Sequence, residues 1–415
     1  MFRSLRIRNF RLYIIGQGIS MAGTFMQVVA QAWLVLQLTG SGTALGLLTT
    51  LQFGPTLLIG GPAGVIIDRV PRRRLYAITE AILGLQAAAL GILFVTGAVQ
   101  LWMVYALALV FGIVAAIDQP TRQAFVLDLA GSSDLPNAIG LSMSVGSVSR
   151  AVGPALAGVT IAVVGVGTCF LLNALSFVAM LVALALMRKN ELHPAAIEPR
   201  AQGQFREGLR YVGRAREVLW ILLLLAVAFG IAWEFEVALP LIAKFTFDGD
   251  AATYGLLATA VGIGAVLGGL ESARRGSAVR GALAISGAAY AAGMWCATFA
   301  PGIVVACIGL VVAGAGGIML IATATARLQL RTIPRMRGRV MALYSVAIFG
   351  TRVIGGPIVG WFGNEFGARG SLAIGAVALS VATPIWYYFS PHGPESVEEE
   401  HFLPEVVEAS EEQPA

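Results

Sequence analysis

Charged side chains are scarce in this sequence, because Asp, Glu, Lys and Arg make up only 12% of its 415 residues. Soluble domains carry about 25% charged residues, so a water-soluble fold is excluded. Hydrophobic residues make up 57% of the chain, and they form recurring runs of the length that crosses a bilayer, about 20 residues. Such runs, without alternation, also exclude a β-barrel. The sequence therefore predicts an all-α integral membrane protein.

Cysteine and histidine are also rare, with three of each. The cysteines lie in or beside apolar runs, which excludes a disulfide framework. The histidines fall in the central linker and the tail, so no histidine relays protons inside the membrane. The sequence shows no nucleophile–base pair, phosphate-binding loop or metal cluster, and we predict neither enzymatic activity nor a cofactor. The net charge of +5 is interpreted as membrane topology, with no nucleic-acid partner.

Twelve apolar segments are predicted to cross the membrane as helices, six on each side of a charged stretch. They lie near 12–37, 44–67, 75–97, 101–127, 138–162, 168–187, 218–243, 253–271, 280–300, 302–330, 340–363 and 370–390. The predicted domains are an N-terminal six-helix bundle, a cytoplasmic linker with an amphipathic helix, a C-terminal six-helix bundle and an acidic, disordered cytoplasmic tail. Their ranges are 1–187, 188–217, 218–390 and 391–415.

Lys and Arg are concentrated at the amino terminus, in the linker and in alternate loops, whereas the opposite loops hold only Lys244 and Arg369. Arg122 is counted with the loop after helix 4. Positively charged loops stay in the cytoplasm, so both termini and the linker are predicted to be cytoplasmic. The first apolar run is too long for a signal peptide and is expected to remain as helix 1. We expect a multi-pass protein of the bacterial inner membrane.

The two halves repeat one pattern in the middle of their fifth helices. Arg150 precedes Gly158 by eight residues, and Arg352 precedes Gly360 by eight; Pro154 and Pro357 lie between. Each arginine lies about 12 residues into its predicted helix, or about 18 Å at 1.5 Å per residue, which is near the bilayer midplane. Internal repeats with a polar site at the midplane are typical of secondary transporters.

Two motifs resemble signatures of the major facilitator superfamily, and the resemblance covers essentially the whole chain. The loop 2–3 signature G-x-x-x-D-R-x-G-R-R is matched by Gly64, Asp68, Arg69, Arg72 and Arg73, with Pro71 in place of the second glycine. The antiporter signature of helix 5, G-x8-G-x3-G-P-x2-G-G, is matched in spacing by Gly140, Ser149, Gly153, Pro154, Ala157 and Gly158. The helix 4–5 region further resembles the bacterial branch that includes the enterobactin exporter and related drug and siderophore efflux proteins.

The resemblance implies two gating regions. Asp68 is expected to meet the positively polarised amino-terminal end of helix 11 and to latch the halves on the cytoplasmic side; a solvated turn is the alternative, above all for Arg72 to Arg74. Small residues at Gly64, Gly153 and Gly158 are expected to allow close helix contacts.

Arg150 and Arg352 are predicted to face protein or water, since an arginine at the centre of a membrane helix is costly. They either line a cavity and pair with a carboxylate or an anionic substrate, or bond to carbonyl groups and fix the packing. No carboxylate is predicted at their depth. The candidates for proton coupling are Glu234, which is preferred, with Asp118, Glu80 and Glu236; Asp118 is expected to pair with Arg122, four residues later. A rim position in water is the alternative for Glu234.

Helix 1 carries five polar residues at spacings of three and four, which places them on one face. This stripe is predicted to form a cavity wall, with hydrogen bonds between helices as the alternative: Gln17, Ser20, Thr24, Gln27 and Gln31. Large apolar side chains, including Trp233, would suit an amphipathic ligand.

The sequence thus favours a secondary active transporter that exports small amphipathic molecules, of the drug or siderophore type, by alternating access. Protons are the expected coupling ion, the bilayer is the environment, and a monomer is expected to function. Uptake or lipid flipping on the same scaffold and a non-transporting membrane sensor are the alternatives.

Overall fold

The computed structural model describes residues 3–193, 204–275 and 280–390, without the side chains of residues 60–68, 132–133, 204–207 and 275. In this part of the chain every regular element is helical. The first six long helices are α1 (Arg8–Thr39), α2 (Gly42–Arg69), α3 (Arg72–Val95), α4 (Leu101–Gly131), α5 (Asp134–Val164) and α6 (Val166–Leu186). A short helix α7 (Gln204–Arg214) follows. The second set is α8 (Arg216–Thr246), α9 (Ala251–Arg275), α10 (Arg280–Thr298), α11 (Ile303–Arg331), α12 (Pro334–Glu365) and α13 (Ala368–Phe389).

Eleven helices in the described part of the chain are long and apolar enough to cross a membrane. The remaining predicted segment, 280–300, corresponds to α10, which has 19 residues and packs against α11 and α13. The predicted gap between helices 4 and 5 is wrong, because α4 and α5 are separated only by a sharp break. At this break Gly131 has φ 65° and ψ 175°, a conformation that strains any residue with a Cβ atom.

Wide π-helical turns interrupt two helices of the second half. They occupy Ala228–Ala232 and Ile242–Thr246 in α8, and Val346–Gly350 in α12. A π-turn places one extra residue in a helical turn and is frequent at functional sites. Residues that follow such a turn therefore face a direction that uniform α-helical spacing does not predict.

Amide side chains hold the interior of the first half together. The Gln27 amide nitrogen donates to the Gln86 side-chain oxygen at 3.0 Å, and the Asn173 amide nitrogen donates to the Gln27 side-chain oxygen at 2.8 Å. Gln52 donates to Gln31 at 3.3 Å. Because these groups are buried and unpaired polar groups are costly in an apolar interior, the bonds connect α1 firmly to α2, α3 and α6.

Among the residues whose side chains are described, the close contacts between the halves lie between the opposite face and the middle of the molecule. We call the end that holds the starts of α1 and α3 the terminal face, and the other end the opposite face. Near the opposite face α5 packs on α9 through Gly158 and Gly255, and Trp33 stacks on Tyr254 with ring centroids 6.3 Å apart. Nearer the terminal face, α5 is uncovered at Gly140, where a Cβ atom would meet no described atom within 4 Å.

Asn364 ties α12 to the start of α2 at the opposite face. Its Oδ1 atom accepts from the Gly42 backbone N–H at 2.7 Å, and its Nδ2 atom donates to Thr43 Oγ1 at 2.6 Å and to Ser41 Oγ at 3.1 Å. The backbone N–H of Gly42, the first residue of α2, thus obtains a hydrogen-bond acceptor from the other half of the protein.

We expect Asn364→Ala to weaken closure of the opposite face by about 1–2 kcal/mol, because it removes these bonds between the halves. Spin labels at Leu38→Cys and Phe366→Cys, both exposed and one in each half, would report the distance across this face by pulsed electron resonance in a protein without its native cysteines. A second, longer distance should appear in Asn364→Ala and not in the exposed control Asn190→Ala. Identical distance distributions in both variants would contradict the role of Asn364.

Candidate functional site

A central cavity of about 250 Å³ lies between the two halves. Predicted candidates from both halves line it: Ser20, Thr24, Glu80, Asp118, Arg150, Trp233, Glu236 and Arg352. Aromatic side chains cover much of the remaining wall: Phe25, Phe53, Phe111, Phe177, Phe229 and Phe349. The cavity therefore combines ionisable groups with a large apolar surface, which is the usual composition of a site for small molecules.

Arg352 is paired with two carboxylates of α8. Its Nε atom donates to Glu234 Oε1 at 2.9 Å, and its Nη2 atom lies 3.4 Å from Glu236 Oε1. The guanidinium carbon also stands 3.9 Å from the centre of the Phe53 ring, on α2 of the other half, which is cation–π geometry. Glu234 is 1% exposed, so this group is a buried ion pair with a second, more accessible carboxylate.

This pairing shows that the expectation of no carboxylate at the depth of Arg352 is wrong. The π-turn at Ala228–Ala232 immediately precedes Trp233 and Glu234, and a second π-turn precedes Arg352. These turns change both the depth and the direction of the residues after them. The rim position considered for Glu234 is also wrong, because its side chain is buried.

A second charged group lies in the first half, on α3 and α4. Glu80 accepts a hydrogen bond from Ser20 Oγ at 3.0 Å, and Asp118 accepts one from Thr79 Oγ1 at 2.6 Å. Both carboxylates are almost fully buried but border the cavity. The positive charge of Arg122 interacts with both. Two carboxylates thus share one nearby cation.

One expectation about Arg122 is wrong, and another is met only in part. It lies within α4 and lines the cavity, so it is not a loop residue that reports topology. Asp118 and Arg122 interact electrostatically as expected, but the described side chains include no direct salt bridge between them, and Asp118 accepts its hydrogen bond from Thr79. Thr79 lies on α3, so the spacing of residues along α4 does not reveal this partner of Asp118.

Arg150 lies on α5 at the position that repeats Arg352, but its surroundings differ. Its guanidinium carbon stands 5.0 Å from the centre of the Phe25 ring and borders the cavity. Among the described residues, no carboxylate forms a salt bridge with it. The nearest interacting charges are Glu236, which attracts it, and Arg352, which repels it.

The polar stripe of α1 is divided between two roles. Ser20 and Thr24 line the cavity, whereas Gln27 and Gln31 form the buried amide bonds of the first half. Gln17 is buried and its amide nitrogen approaches the sulfur of Met21. The predicted cavity wall is therefore wrong for three of its five residues, because neighbouring helices offer amide partners to Gln27 and Gln31 and Gln17 is buried.

The arginines of the loop 2–3 motif bind within their own half. Arg72 forms a salt bridge with Asp128 of α4 at 2.6 Å, and Arg73 donates to the Leu184 carbonyl at 2.6 Å. The solvated turn considered for these two residues is wrong, whereas Arg69 is exposed. The side chains of Gly64 and Asp68 lie outside the described part of the structure, and so does the expected latch.

Two glycines of the helix 5 motif, Gly153 and Gly158, lie at helix contacts, whereas, in the described part of the chain, Gly140 does not. A Cβ atom on Gly153 would come 2.8 Å from the Ala22 carbonyl of α1, and one on Gly255 would come 2.8 Å from the Pro154 carbonyl. Gly158 faces α9. The motif thus allows close backbone approach both within the first half and between the halves.

The sequence analysis does not identify several residues that the structure places at the site or near it. Phe53 and Asn364 contact the other half, and Glu217 forms a buried ion pair with Arg327 and a 3.2 Å contact with Arg331. The sequence does contain a signal for the Glu217–Arg327 pair, because a carboxylate lies at the start of one apolar helix and an arginine near the end of another. Within the described ranges, no group of three or more His, Cys, Asp or Glu is placed to hold a metal ion.

The arrangement of helices and cavity can now be compared with known proteins. A family model described as "Transmembrane secretion effector" (MFS_3) matches residues 1–412. The chain belongs to this family of the major facilitator superfamily. The predicted superfamily is therefore confirmed, and the protein is a multi-pass membrane protein of the bacterial type.

Three curated relatives are named as transporters or efflux proteins. The Staphyloferrin A transporter of Staphylococcus aureus is 27% identical over 248 residues, which cover 59% of this chain and 62% of that protein. Macrolide efflux protein A of Streptococcus pyogenes is 23% identical, with 61% and 64% covered, and the multidrug efflux pump Tap of Mycolicibacterium fortuitum is 27% identical, with 60% and 63% covered. The matches span less than two thirds of the length of these relatives.

Solved structures of transporters share the fold. A bacterial homologue of the human lysosomal transporter Spinster, in an inward-facing and occupied conformation, has a TM-score of 0.71 at 15% identity, with 92% of this chain and 96% of that chain covered. A bacterial homologue of the iron transporter ferroportin, in an inward-facing state, has a TM-score of 0.68 at 16% identity, with 92% and 99% covered. The all-α membrane fold is confirmed.

Proposed function

We propose that this protein exports small amphipathic molecules across the bacterial inner membrane by alternating access. The observation that carries the proposal is a central cavity lined by both halves, which pack together at the opposite face, whereas Gly140 of α5, nearer the terminal face, meets no described residue of the other half. With the positively charged terminal face in the cytoplasm, this conformation opens inward. The two six-helix bundles, 1–187 and 218–390, would rock about the cavity as a monomer.

The names of the relatives support a cargo of the drug or siderophore type, and efflux as the direction. The Asp68 latch would then close the terminal face when the protein opens outward. Helix α7 in the linker, whose sequence is rich in arginine, would lie along the cytoplasmic surface of the bilayer, where basic residues favour anionic headgroups.

We further propose that the proton is carried by Glu80 and Asp118 rather than by Glu234, the candidate preferred from the sequence. Both oxygens of Glu234 lie within 3.5 Å of Arg352, so its charge is already neutralised. Glu80 and Asp118 share the single cation Arg122 and border the cavity. A proton on one of them removes the excess negative charge, and rocking of the halves would change the side from which it exchanges. Glu236, which also borders the cavity, is the second candidate.

Transport by the purified protein in liposomes tests export and coupling together. We would measure the accumulation of ethidium, Nile red and anilinonaphthalene sulfonate under an imposed pH gradient. For one-for-one exchange of a neutral solute, each pH unit corresponds to about 1.4 kcal/mol, or about a tenfold concentration ratio. Binding of these probes without flux would indicate a sensor, and flux only in the opposite direction would indicate uptake.

We expect Glu80→Gln to lower the accumulation ratio of a transported probe to about one while exchange of labelled for unlabelled probe continues. The amide cannot release a proton, so the pH gradient no longer drives the cycle. Glu191→Gln is the matched control, because Glu191 pairs with Arg188 on the exposed surface and should leave coupling unchanged. Normal accumulation in Glu80→Gln would exclude Glu80 as a carrier.

A further inference from the structure

Three arginines border the cavity, and they differ in their counter-charges. Arg352 binds two carboxylates directly, and Arg122 interacts with both Glu80 and Asp118. Arg150 contacts the face of Phe25 and forms no salt bridge with a described residue. A cation held inside a membrane-spanning bundle is costly unless an anion compensates it. The positive charge of Arg150 at the cavity wall has no such anion in a salt bridge among the described residues, so an anionic ligand would stabilise it.

The repeat between the halves shows why Arg150 has no partner. In the second half, the carboxylates for Arg352 come from α8, the first helix of that half. The corresponding first helix of the first half is α1, and its 32 residues contain no Asp or Glu. At the position near Arg150, α1 supplies Phe25 instead. The fold therefore places two equivalent arginines at the cavity, and of the two only Arg352 forms salt bridges with described carboxylates of the protein.

We propose that Arg150 binds the acidic group of the transported molecule, and that the substrates are amphipathic acids. This inference rests on the proposed export function and specifies its substrate class. A guanidinium group offers a planar fork of N–H donors that matches a carboxylate, sulfonate or phosphate oxygen pair. The Phe25, Phe53 and Phe229 rings, which line the same cavity, would receive an apolar or aromatic body.

Glu236 is a carboxylate of the protein that would compete with an acidic substrate for Arg150. It is the carboxylate with the strongest attraction for Arg150, yet its contact is with Arg352 at 3.4 Å. Its side chain is 30% exposed and borders the cavity, so it would repel an incoming anion. Removal of its charge should therefore strengthen acid binding, whereas removal of the Arg150 charge should abolish the preference for acids.

The charge of the substrate also determines how strongly the membrane potential drives its export. Exchange of one monoanion outward for one proton inward moves two positive charges toward the cytoplasm. A potential that is negative inside would therefore drive export even without a pH gradient. Export of a neutral molecule for one proton would move one charge, and export of a monovalent cation for one proton would move none.

Binding to the purified protein tests the site without transport. We would use calorimetry to measure the binding of three sets of matched probes, built on a naphthyl, a biphenyl or a dodecyl group. Within each set, the same apolar group carries a carboxylic acid, an amide or an ammonium group. We expect the acids to bind at least about tenfold more tightly than the matched amides, and Arg150→Gln to remove this difference. Arg150→Lys should keep part of it, because the charge remains while the planar fork is lost.

The Glu236→Gln variant provides a second readout of opposite sign. It should bind the acids several-fold more tightly than the unmodified protein, and the double variant Arg150→Gln/Glu236→Gln should lose that gain. Equal affinities for acids and amides, no binding of any acid at millimolar concentration, or a preference for the ammonium probes would each overturn the proposal. A preference for ammonium would assign recognition to Glu236 instead. An unchanged melting temperature of Arg150→Gln would show that this variant is folded. If Arg150→Gln does not fold, the tighter binding of acids by Glu236→Gln is the test of the proposal.

Flux in liposomes separates this inference from the proposed function. With a potential set by potassium and valinomycin and no pH gradient, naphthoate should move outward from the side of the termini, and Arg150→Gln should lose this flux. Acid-selective binding without any flux would overturn export and leave the Arg150 site standing. Flux of neutral or cationic probes without acid selectivity would overturn the Arg150 site and leave export standing.

Discussion

Replacement of Arg352 by methionine should destabilise the protein by about 3–5 kcal/mol, the usual loss when one partner of a buried ion pair is removed. The substitution leaves Glu234, which is 1% exposed, and Glu236 without their cation. It also removes the guanidinium group from the Phe53 ring of the other half. Thermal and denaturant unfolding in detergent would measure the loss.

The partners of Arg352 make the prediction more specific. Glu234→Gln should be less damaging, about 1–3 kcal/mol, because Glu236 still lies 3.4 Å from Arg352. The double variant Arg352→Met/Glu234→Gln should be more stable than Arg352→Met alone, since it no longer buries an uncompensated carboxylate. Arg74→Met, at an exposed position, is the control and should change stability by less than about 0.5 kcal/mol. Additive losses in the double variant would show that the two side chains are not coupled.

Substitution of Gly46 by leucine should prevent closure of the opposite face. A Cβ atom on Gly46 would come 2.6 Å from the Pro357 Cα atom of α12, and backbone atoms at this contact cannot move aside. An oversized residue in a packed contact costs about 1–3 kcal/mol, which lowers the population of the closed face by a factor of about 5–150. Transport should fall accordingly, because the inward-open state of the proposed cycle requires this contact.

The same helix offers a matched control. Gly54 lies two turns after Gly46 on α2, and a Cβ atom there would meet nothing within 4 Å, so Gly54→Leu should leave both transport and conformation unchanged. The labels at Leu38→Cys and Phe366→Cys would show a longer distance in Gly46→Leu and the original distance in Gly54→Leu. Normal transport in Gly46→Leu would show that this contact does not take part in gating.

Much of the fold could be predicted because a single physical requirement dominates it. Backbone groups in lipid must be paired within a helix, so apolar runs of sufficient length directly indicate the membrane-spanning helices. The described helices overlap all twelve predicted segments. The exceptions are local: a single glycine in a positive φ conformation separates α4 from α5, where a polar loop was predicted.

The candidate site could be predicted only in part, because its contacts depend on three-dimensional packing. The position of Arg150 and Arg352 at the cavity follows from their depth in apolar helices. The Arg352–Glu234 pair does not, because π-turns in α8 and α12 alter the spacing of the residues that follow. The division of the α1 stripe depends on amide partners from α2, α3 and α6, which no periodicity on α1 can reveal.

The glycine contacts between α2 and α12 and between α5 and α9 affect the thermodynamics of gating. Glycine has no side-chain rotamers, so its surfaces can separate and rejoin without a change in side-chain conformational entropy. In the proposed transport cycle, the open and closed forms of this face would therefore differ little in side-chain entropy, and Asn364 is one of the polar groups that favour the closed form. A ligand of modest differential affinity would then be enough to shift the proposed equilibrium, so the occupant of the cavity would decide which side of the membrane it meets next.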